Sequence, residues 1–461
     1  MDAGSDGDGD TDSDADAGND SGGDADCGAD KLWVVTFGSA LDDYGMDVEL
    51  DDEGNVFFCG YYGGLLDFAG TPLPFAGSLD VVVAKLSRSG RLRWVSTVGG
   101  PGEEREPGIA VDRAGNVALA TEYSAAFELD GRMIEHYGQS DLLLVKYTPD
   151  GAVSWVRTFG GPGQEFVPRI AFDSEGDLFL VAEFEGTVDF DEQRLTASDS
   201  EDLVIARLDG TNGAVLWAKS YGGFADESAY AIVADPSGDV AVTGWFANNI
   251  DFGGGMLSPG GAFVAKIAGA DGTHRWSKVL TNGENESGCG LALTASGDVF
   301  VSGWFQGELD FGGGTLAAVD FTDLWVARYD AATGAHRWSR SFGGPLVDSS
   351  CTAATTINGD VVIGGYYTRE IDFGGGPLDS PFGGFFARLS GADGAHVWSH
   401  AISGPGGENV ANVAIRTDDL VVITGDFSET LTFFGEPMES HGQSDGFIVS
   451  VPAHLLTGGE R

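Results

Sequence analysis

Basic side chains are scarce: 24 Lys and Arg stand against 72 Asp and Glu, for a formal charge of −48 over 461 residues. A surface so acidic is repelled by phosphate backbones and anionic bilayers, which excludes nucleic-acid binding. No apolar run approaches the 18 or so residues that cross a bilayer, so no membrane span is expected. Sulfur is also thin, with 4 Cys and 5 Met, and the cysteines give only a hint of compartment. Pro numbers 15, and the 73 Gly follow no Gly-x-y period, which excludes collagen. No basic n-region or apolar h-region follows Met1, so an export signal is absent from this chain and is expected upstream. Cys27 is preceded by Ala-Asp and so does not sit in a lipobox.

Residues 1–30 hold 11 Asp, 7 Gly and no Lys, Arg or Glu. Such a segment buries nothing apolar and repels itself, so a disordered acidic tail is expected. Asp6, Asp8, Asp10, Asp12 and Asp14 alternate, but Thr11 and Ala17 occupy the positions where an EF-hand needs Gly and Glu. Weak Ca²⁺ association is all this tail offers. No other cofactor or metal is expected.

From residue 31 the chain repeats. Trp33, Trp94, Trp155, Trp217, Trp276, Trp338 and Trp398 are spaced 61, 61, 62, 59, 62 and 60 residues apart. Each unit reads as four short strands broken by Gly-rich turns, for example IAVDRAGNVALATEY, LLLVKY and AVSWVRTF. Repeats of four strands imply an all-β, seven-bladed β-propeller of four-stranded antiparallel blades over 31–455, with 456–461 as a C-terminal tail. The first element, KLWVVTFG, is a fourth strand, and the last, GFIVSV, a third strand with no Trp after it. The N-terminal strand should therefore close the last blade.

The text GDxxxDxxGNVxxTGxF, DFGGGxL, DxxVAKL and FGGPGxE resembles the SBBP-type propeller repeat of bacterial envelope proteins. DAATGAHRW (330–338) and DGTNGAVLW (209–217) resemble the tryptophan-docking motif of quinoproteins, which implies that each Trp packs between blades. A quinoprotein dehydrogenase would be expected to have eight blades and adjacent cysteines. This chain has seven units and no adjacent cysteines. The resemblance implies an extracellular or cell-envelope location.

Ten residues after each Trp stands a carboxylate: Asp43, Glu104, Glu165, Glu227, Glu286, Asp348 and Glu408. It caps backbone N–H groups in the crossover between blades, or forms an acidic ring for ligands at the channel mouth. Cys289 and Cys351 share one column on adjacent inner strands, close enough for a disulfide between blades. His274, His336 and His396 fall on the rim, too far apart to share a metal. Asp67, Glu128, Asp189, Asp251, Asp310 and Asp372 are each expected to pair with the base of their own blade: Lys85, Lys146, Arg207, Lys266, Arg328 and Arg388. The departures from the repeat at Thr432, Ser450, Asn285 and Trp325 assemble no acid–base or nucleophile pair, so no catalytic residue is assigned. The expected function is non-catalytic binding or scaffolding of a surface glycan, peptide or protein by a monomer, with the ligand face at the long loops around the channel mouth. The alternative is an extracellular hydrolase or lyase at that mouth.

Overall fold

A computed structural model describes residues 31–280 and 286–457. Seven antiparallel blades of four strands follow one another along the chain, the sixth extended at its outer edge by the hairpin Thr430–Phe433 and Glu436–Glu439. Blade 1 is Asp43–Leu50, Val56–Tyr62, Asp80–Leu86 and Leu92–Val98; blade 2 runs from Glu104–Val111 to Val153–Phe159 and blade 3 from Glu165–Phe172 to Val215–Tyr221. Blades 4, 5 and 6 begin at Glu227–Ala234, Ser287–Leu293 and Ser349–Thr355. Blade 7 takes Glu408–Ile415, Val421–Phe427 and Asp445–Val451 from the C-terminal end and Trp33–Phe37 from the N-terminal end. Its closing register runs from Trp33 opposite Ser450 to Phe37 opposite Gly446. Joining both ends of the chain in one sheet leaves the ring without an open seam.

The first strand of every blade is innermost and the fourth outermost. Strand direction then puts both long connections, fourth to first and second to third, on one face. Bridges between them, such as Leu79 to Glu103 and Thr322 to Val347, tie that face together. The tight turns, five or six residues long, occupy the opposite face. The described residues end in a single helical turn, Ala453–Thr457. Its Leu456 is buried in the cluster that holds Trp398, because blade 6 would otherwise expose that ring.

The repeated Trp is a clamp between blades. In six blades its indole N–H donates to a carbonyl in the third-to-fourth turn of the next blade, at 2.8–3.2 Å: Trp33 to Arg88, Trp94 to Pro149, Trp155 to Gly210, Trp217 to Gly269, Trp276 to Ala331 and Trp338 to Gly391. The ring lies on a glycine of that turn. A Cβ on Gly394 would come within 2.7 Å of Trp338, and its φ of +71° is a conformation that glycine adopts without strain.

The third-strand bases pair with different acids from those expected. Lys85, Lys146, Arg207, Lys266, Arg328 and Arg388 bind Asp51, Asp112, Asp173, Asp235, Asp298 and Asp360, at 3.5, 2.9, 2.8, 2.6, 2.9 and 3.0 Å. Each base sits near the end of its third strand, beside the tight turn. The acids of the Asp67 column lie past the other end of the sheet, roughly 20 Å away at ~3.3 Å per residue. Four of them instead accept N–H bonds within their own loops, as Asp310 does from Gly312 and Gly314. In blade 7 Arg416 stands at the position of Asp51 and pairs with Asp418, and Ser450 stands at the position of the base, so the pair is not formed there.

These pairs are buried, with Lys146 and Asp112 side chains 8% and 9% exposed. Burial opposes ionisation of Asp112, but the hydrogen bonds from Lys146 and Asn116 outweigh it and hold its carboxyl below the usual range. Lys146→Met should destabilise the fold by about 3–5 kcal/mol, because it leaves a buried carboxylate without its cation. Adding Asp112→Asn should recover part of that loss. Urea unfolding of the three variants measures both effects, and an additive double variant would contradict the pairing.

Candidate functional site

Each first strand breaks register with its neighbour at the same place, for example between Gly45 and Asp47, Gly288 and Gly290, and Ser350 and Thr352. The extra residue of a bulge leaves the ladder, and its side chain is re-aimed. Here Met46, Tyr230, Cys289 and Cys351 occupy that position and line a central channel of about 970 Å³. The next residue along the strand supplies Asp47, Arg169, Thr352 and Asn412. Two residues deeper, Glu49 lies at the level of Val233, Ala292, Ala354 and Ala414.

Asp47 accepts hydrogen bonds from Asn412 Nδ2 at 2.7 Å and from the Ile109 N–H at 2.8 Å. Burial still raises its carboxyl to about 6. Glu49 is exposed to the channel, and its enclosing walls and the charge of Asp47 raise its carboxyl above the usual range. Arg169 is held by Glu106 at 3.2 Å.

At the mouth, the sixth residue of the second strand differs from blade to blade: Tyr61, Glu122, Glu183, Trp245, Trp304, Tyr366 and Asp426. Tyr61 lies against Tyr44 with ring centres 5.0 Å apart, Arg105 Nε meets Glu122 at 2.6 Å, and Trp245 donates to the Tyr230 hydroxyl at 3.0 Å. Glu183 is 2% exposed, and burial pushes it up to about 8. A second cavity of about 490 Å³, lined in part by Asp42, Tyr366, Phe382 and Asp426, opens beside this mouth. The sequence reading passed over this column and over Asp47, Glu49 and Arg169. Their signal was the loss of the repeat at positions that alternation turns inward.

The seven carboxylates ten residues after Trp are all buried, with Glu286 the most exposed at 7%. They do not form an open acidic ring, because the crossover folds over them. Gly100 donates to Glu104 at 2.9 Å, Gly161 to Glu165 at 3.0 Å and Gly344 to Asp348 at 2.7 Å, and Ser39 donates likewise to Asp43. Glu286 is the one member that also lines the channel. Beside them runs a second buried column that opens the third strand: Asp80, Asp141, Asp202, Asp323 and Asp445. Its members accept N–H bonds from four residues upstream, as Asp80 does from Ala76 at 2.8 Å and Asp141 from Tyr137 at 2.7 Å. Asp80 adds its charge to Glu104, Asp141 to Glu165, Asp202 to Glu227 and Asp323 to Asp348. Burial first, and then these neighbours, push Glu104 up to about 7, Glu165 to about 8, Glu227 to about 9 and Asp348 to about 6.

Cys289 and Cys351 are adjacent, as the spacing implies, but both are free thiols rather than a disulfide. The two thiols interact, and each is also in contact with a serine hydroxyl, Ser287 at 3.6 Å and Ser349 at 3.7 Å. The contact pushes the Cys289 thiol up and the Cys351 thiol down. Among the described residues one acidic trio, Asp173, Glu175 and Asp177, has metal-ligand spacing. Arg207 Nη2 sits within 3.3 Å of all three, so the cation there is the guanidinium. His274 and His396 each contact a serine on their own strand, Ser277 and Ser399, and stay apart. The Ca²⁺ expectation for the tail and the departure at Asn285 lie outside the described residues.

The family profile described as outer membrane protein assembly factor BamB matches residues 78–433. The chain belongs to this family. BamB from Moraxella catarrhalis is 11% identical, covering 80% of this chain and 90% of that one, with a TM-score of 0.37. A protein of unknown function from Dyadobacter fermentans is 14% identical over 76% and 95% of the two chains, with a TM-score of 0.43. Quinohemoprotein alcohol dehydrogenase from Comamonas testosteroni is 10% identical over 94% and 78%, with a TM-score of 0.46. An uncharacterized WD repeat-containing protein of Acanthamoeba polyphaga mimivirus is 19% identical, and the chain spans 36% of its length. Such distant likenesses speak to fold alone. A quinone cofactor does not fit this channel: Asp47, Glu49, Glu106 and Glu286 line it against one base, Arg169, and would repel an anionic quinone. No helix among the described residues is long and apolar enough to cross a membrane.

Proposed function

We propose that this propeller is a non-catalytic binding scaffold of the cell envelope or extracellular space, acting as a monomer, and that its partner docks on the long-connection face. Within its family, its repeat text resembles the SBBP type. One observation carries the reading: the exposed apolar side chains gather on that face. Leu41, Leu65, Tyr137, Phe224, Phe321, Val347 and Phe382 are 37–81% exposed there, around the aromatic and acidic mouth. Long connections vary without disturbing the sheets, which suits them to recognition, and scattered aromatic anchors rimmed by acids suit a protein or peptide carrying basic groups. A surface glycan would use the same aromatic rings. The family description, an outer-membrane assembly factor, agrees with an envelope location.

The test is photo-crosslinking from Leu65 and Phe321 against Ile357 on the tight-turn face, together with peptide and glycan arrays. Capture from the first two positions is expected. The triple variant Leu65→Ser, Phe321→Ser and Phe382→Ser should keep its melting temperature and lose at least tenfold in binding. Capture from Ile357 alone would refute this face.

Glu183 favours a second reading, an extracellular hydrolase or lyase at the mouth, since a carboxyl raised to about 8 can serve as a general acid at neutral pH. Turnover of a glycan or peptide substrate that disappears in Glu183→Gln would establish it, and no turnover across the panel would dismiss it.

A further inference from the structure

Soft ligands are rare in this chain, with nine sulfurs among 461 residues. Three of them line the central channel at a single level, because Met46, Cys289 and Cys351 all occupy the bulge position of their first strands. Cys289 and Cys351 stand on neighbouring blades in equivalent register, at the bulge of adjacent first strands, and both line the channel. Cys351 is open to the channel, whereas Cys289 lies behind it at 6% exposure. No role in the fold calls for this pair: the blades on either side are joined by their Trp clamps and ladders, and the equivalent residues elsewhere are Pro107, Tyr230 and Ala411.

We propose that Cys289 and Cys351 form a binding site for a soft monovalent cation of the Cu(I) class. Two metal–sulfur bonds of about 2.3 Å span sulfurs up to roughly 4.6 Å apart, the separation range of thiols in mutual contact. Thiolate and thioether donors select Cu(I) over the hard cations that carboxylates prefer. Binding replaces two S–H bonds by two S–Cu bonds and releases two protons, with no change of oxidation state. The channel supplies the approach, since four carboxylates and one arginine among its lining residues make it attractive to cations. Ser287 and Ser349 hydroxyls lie beside the two sulfurs, placed to donate to them as thiolates.

The test uses the full chain with Cys27→Ser, which removes the thiol of the acidic tail, reduced and handled without oxygen. Cu(I) is offered in competition with a chromophoric chelator, and Ag(I) serves as a redox-inert second probe. One Cu(I) per chain is expected, with a thiolate charge-transfer band in the ultraviolet. Cys289→Ser and Cys351→Ser should each weaken binding at least a hundredfold. Cys351→Ser changes a channel-exposed atom and should melt like the parent, so lost binding there is not lost folding. Undiminished binding in either variant would overturn the site, as would a parent that yields all its Cu(I) to the chelator. Mass spectrometry showing the pair linked as a disulfide that resists reduction would overturn it as well.

Discussion

Deleting residues 1–37 should lower the melting temperature by at least ~15 °C or abolish a cooperative transition, while deleting 1–30 leaves it unchanged. The longer deletion removes the strand Trp33–Phe37 and with it the whole outer ladder of blade 7. Phe37 is 2% exposed and packs on Phe58 and Phe68 at 5.1 and 5.6 Å, so its loss alone costs roughly 3–5 kcal/mol. Trp33 also reaches across the seam, donating to the Arg88 carbonyl of blade 1 at 2.9 Å. Without it the third strand of blade 7 becomes an open edge, a template for pairing with other chains. Differential scanning calorimetry and size-exclusion chromatography report the two effects. A deleted chain that melts like the parent would show that the ring closes by other contacts.

The second large effect is on pH dependence, and its sign is opposite to ordinary acid denaturation. Glu104, Glu165, Glu227 and Glu408 are raised to about 7, 8, 9 and 7 in the folded protein, chiefly by burial. A carboxyl whose folded value lies above its unfolded one binds protons more tightly when folded. Its contribution is most favourable below the unfolded value, near 4.5, and is lost as pH rises through the folded value. Stability should therefore fall between about pH 5 and pH 9, by several degrees in melting temperature. Asp112 and Asp235, lowered by their lysines despite burial, contribute oppositely and lose their stabilisation only in strong acid. Glu165→Gln keeps an oxygen for the Gly161 N–H and removes the charge. It should stabilise the protein at pH 9 and change little at pH 5. A melting temperature flat from pH 5 to pH 9, in parent and variant alike, would contradict the burial of charge at these crossovers.

Fold and ring closure were legible because both depend on local text. A Trp every sixty residues, Gly-rich turns between alternating runs, and a lone fourth strand at the start leave one way to close the sheets. Pairings across the sheet were less legible. The Asp67 column and the third-strand bases are lost together in blade 7, yet they lie at opposite ends of the strands. The acid nearest each base belongs to a hairpin turn whose composition looked fully explained by turn formation. Asp80, Asp141, Asp202, Asp323 and Asp445 were hidden for the same reason, as apparent loop residues ahead of a strand.

The sequence by itself determined the number of blades, the strand order and the closing strand, which follow from the period and its phase, while the packing of each Trp between blades was implied by the resemblance to the tryptophan-docking motif. Only the tertiary structure decided which charges meet, which carboxylates are buried and which side chains enter the channel. Those depend on bulges and crossovers that bring residues some sixty positions apart within hydrogen-bond reach, and on the burial that sets the cost of their charge. Asp47, Glu49, Arg169, Cys289 and Cys351 look ordinary along the chain. They form a site only because seven inner strands bulge at one level around a common axis.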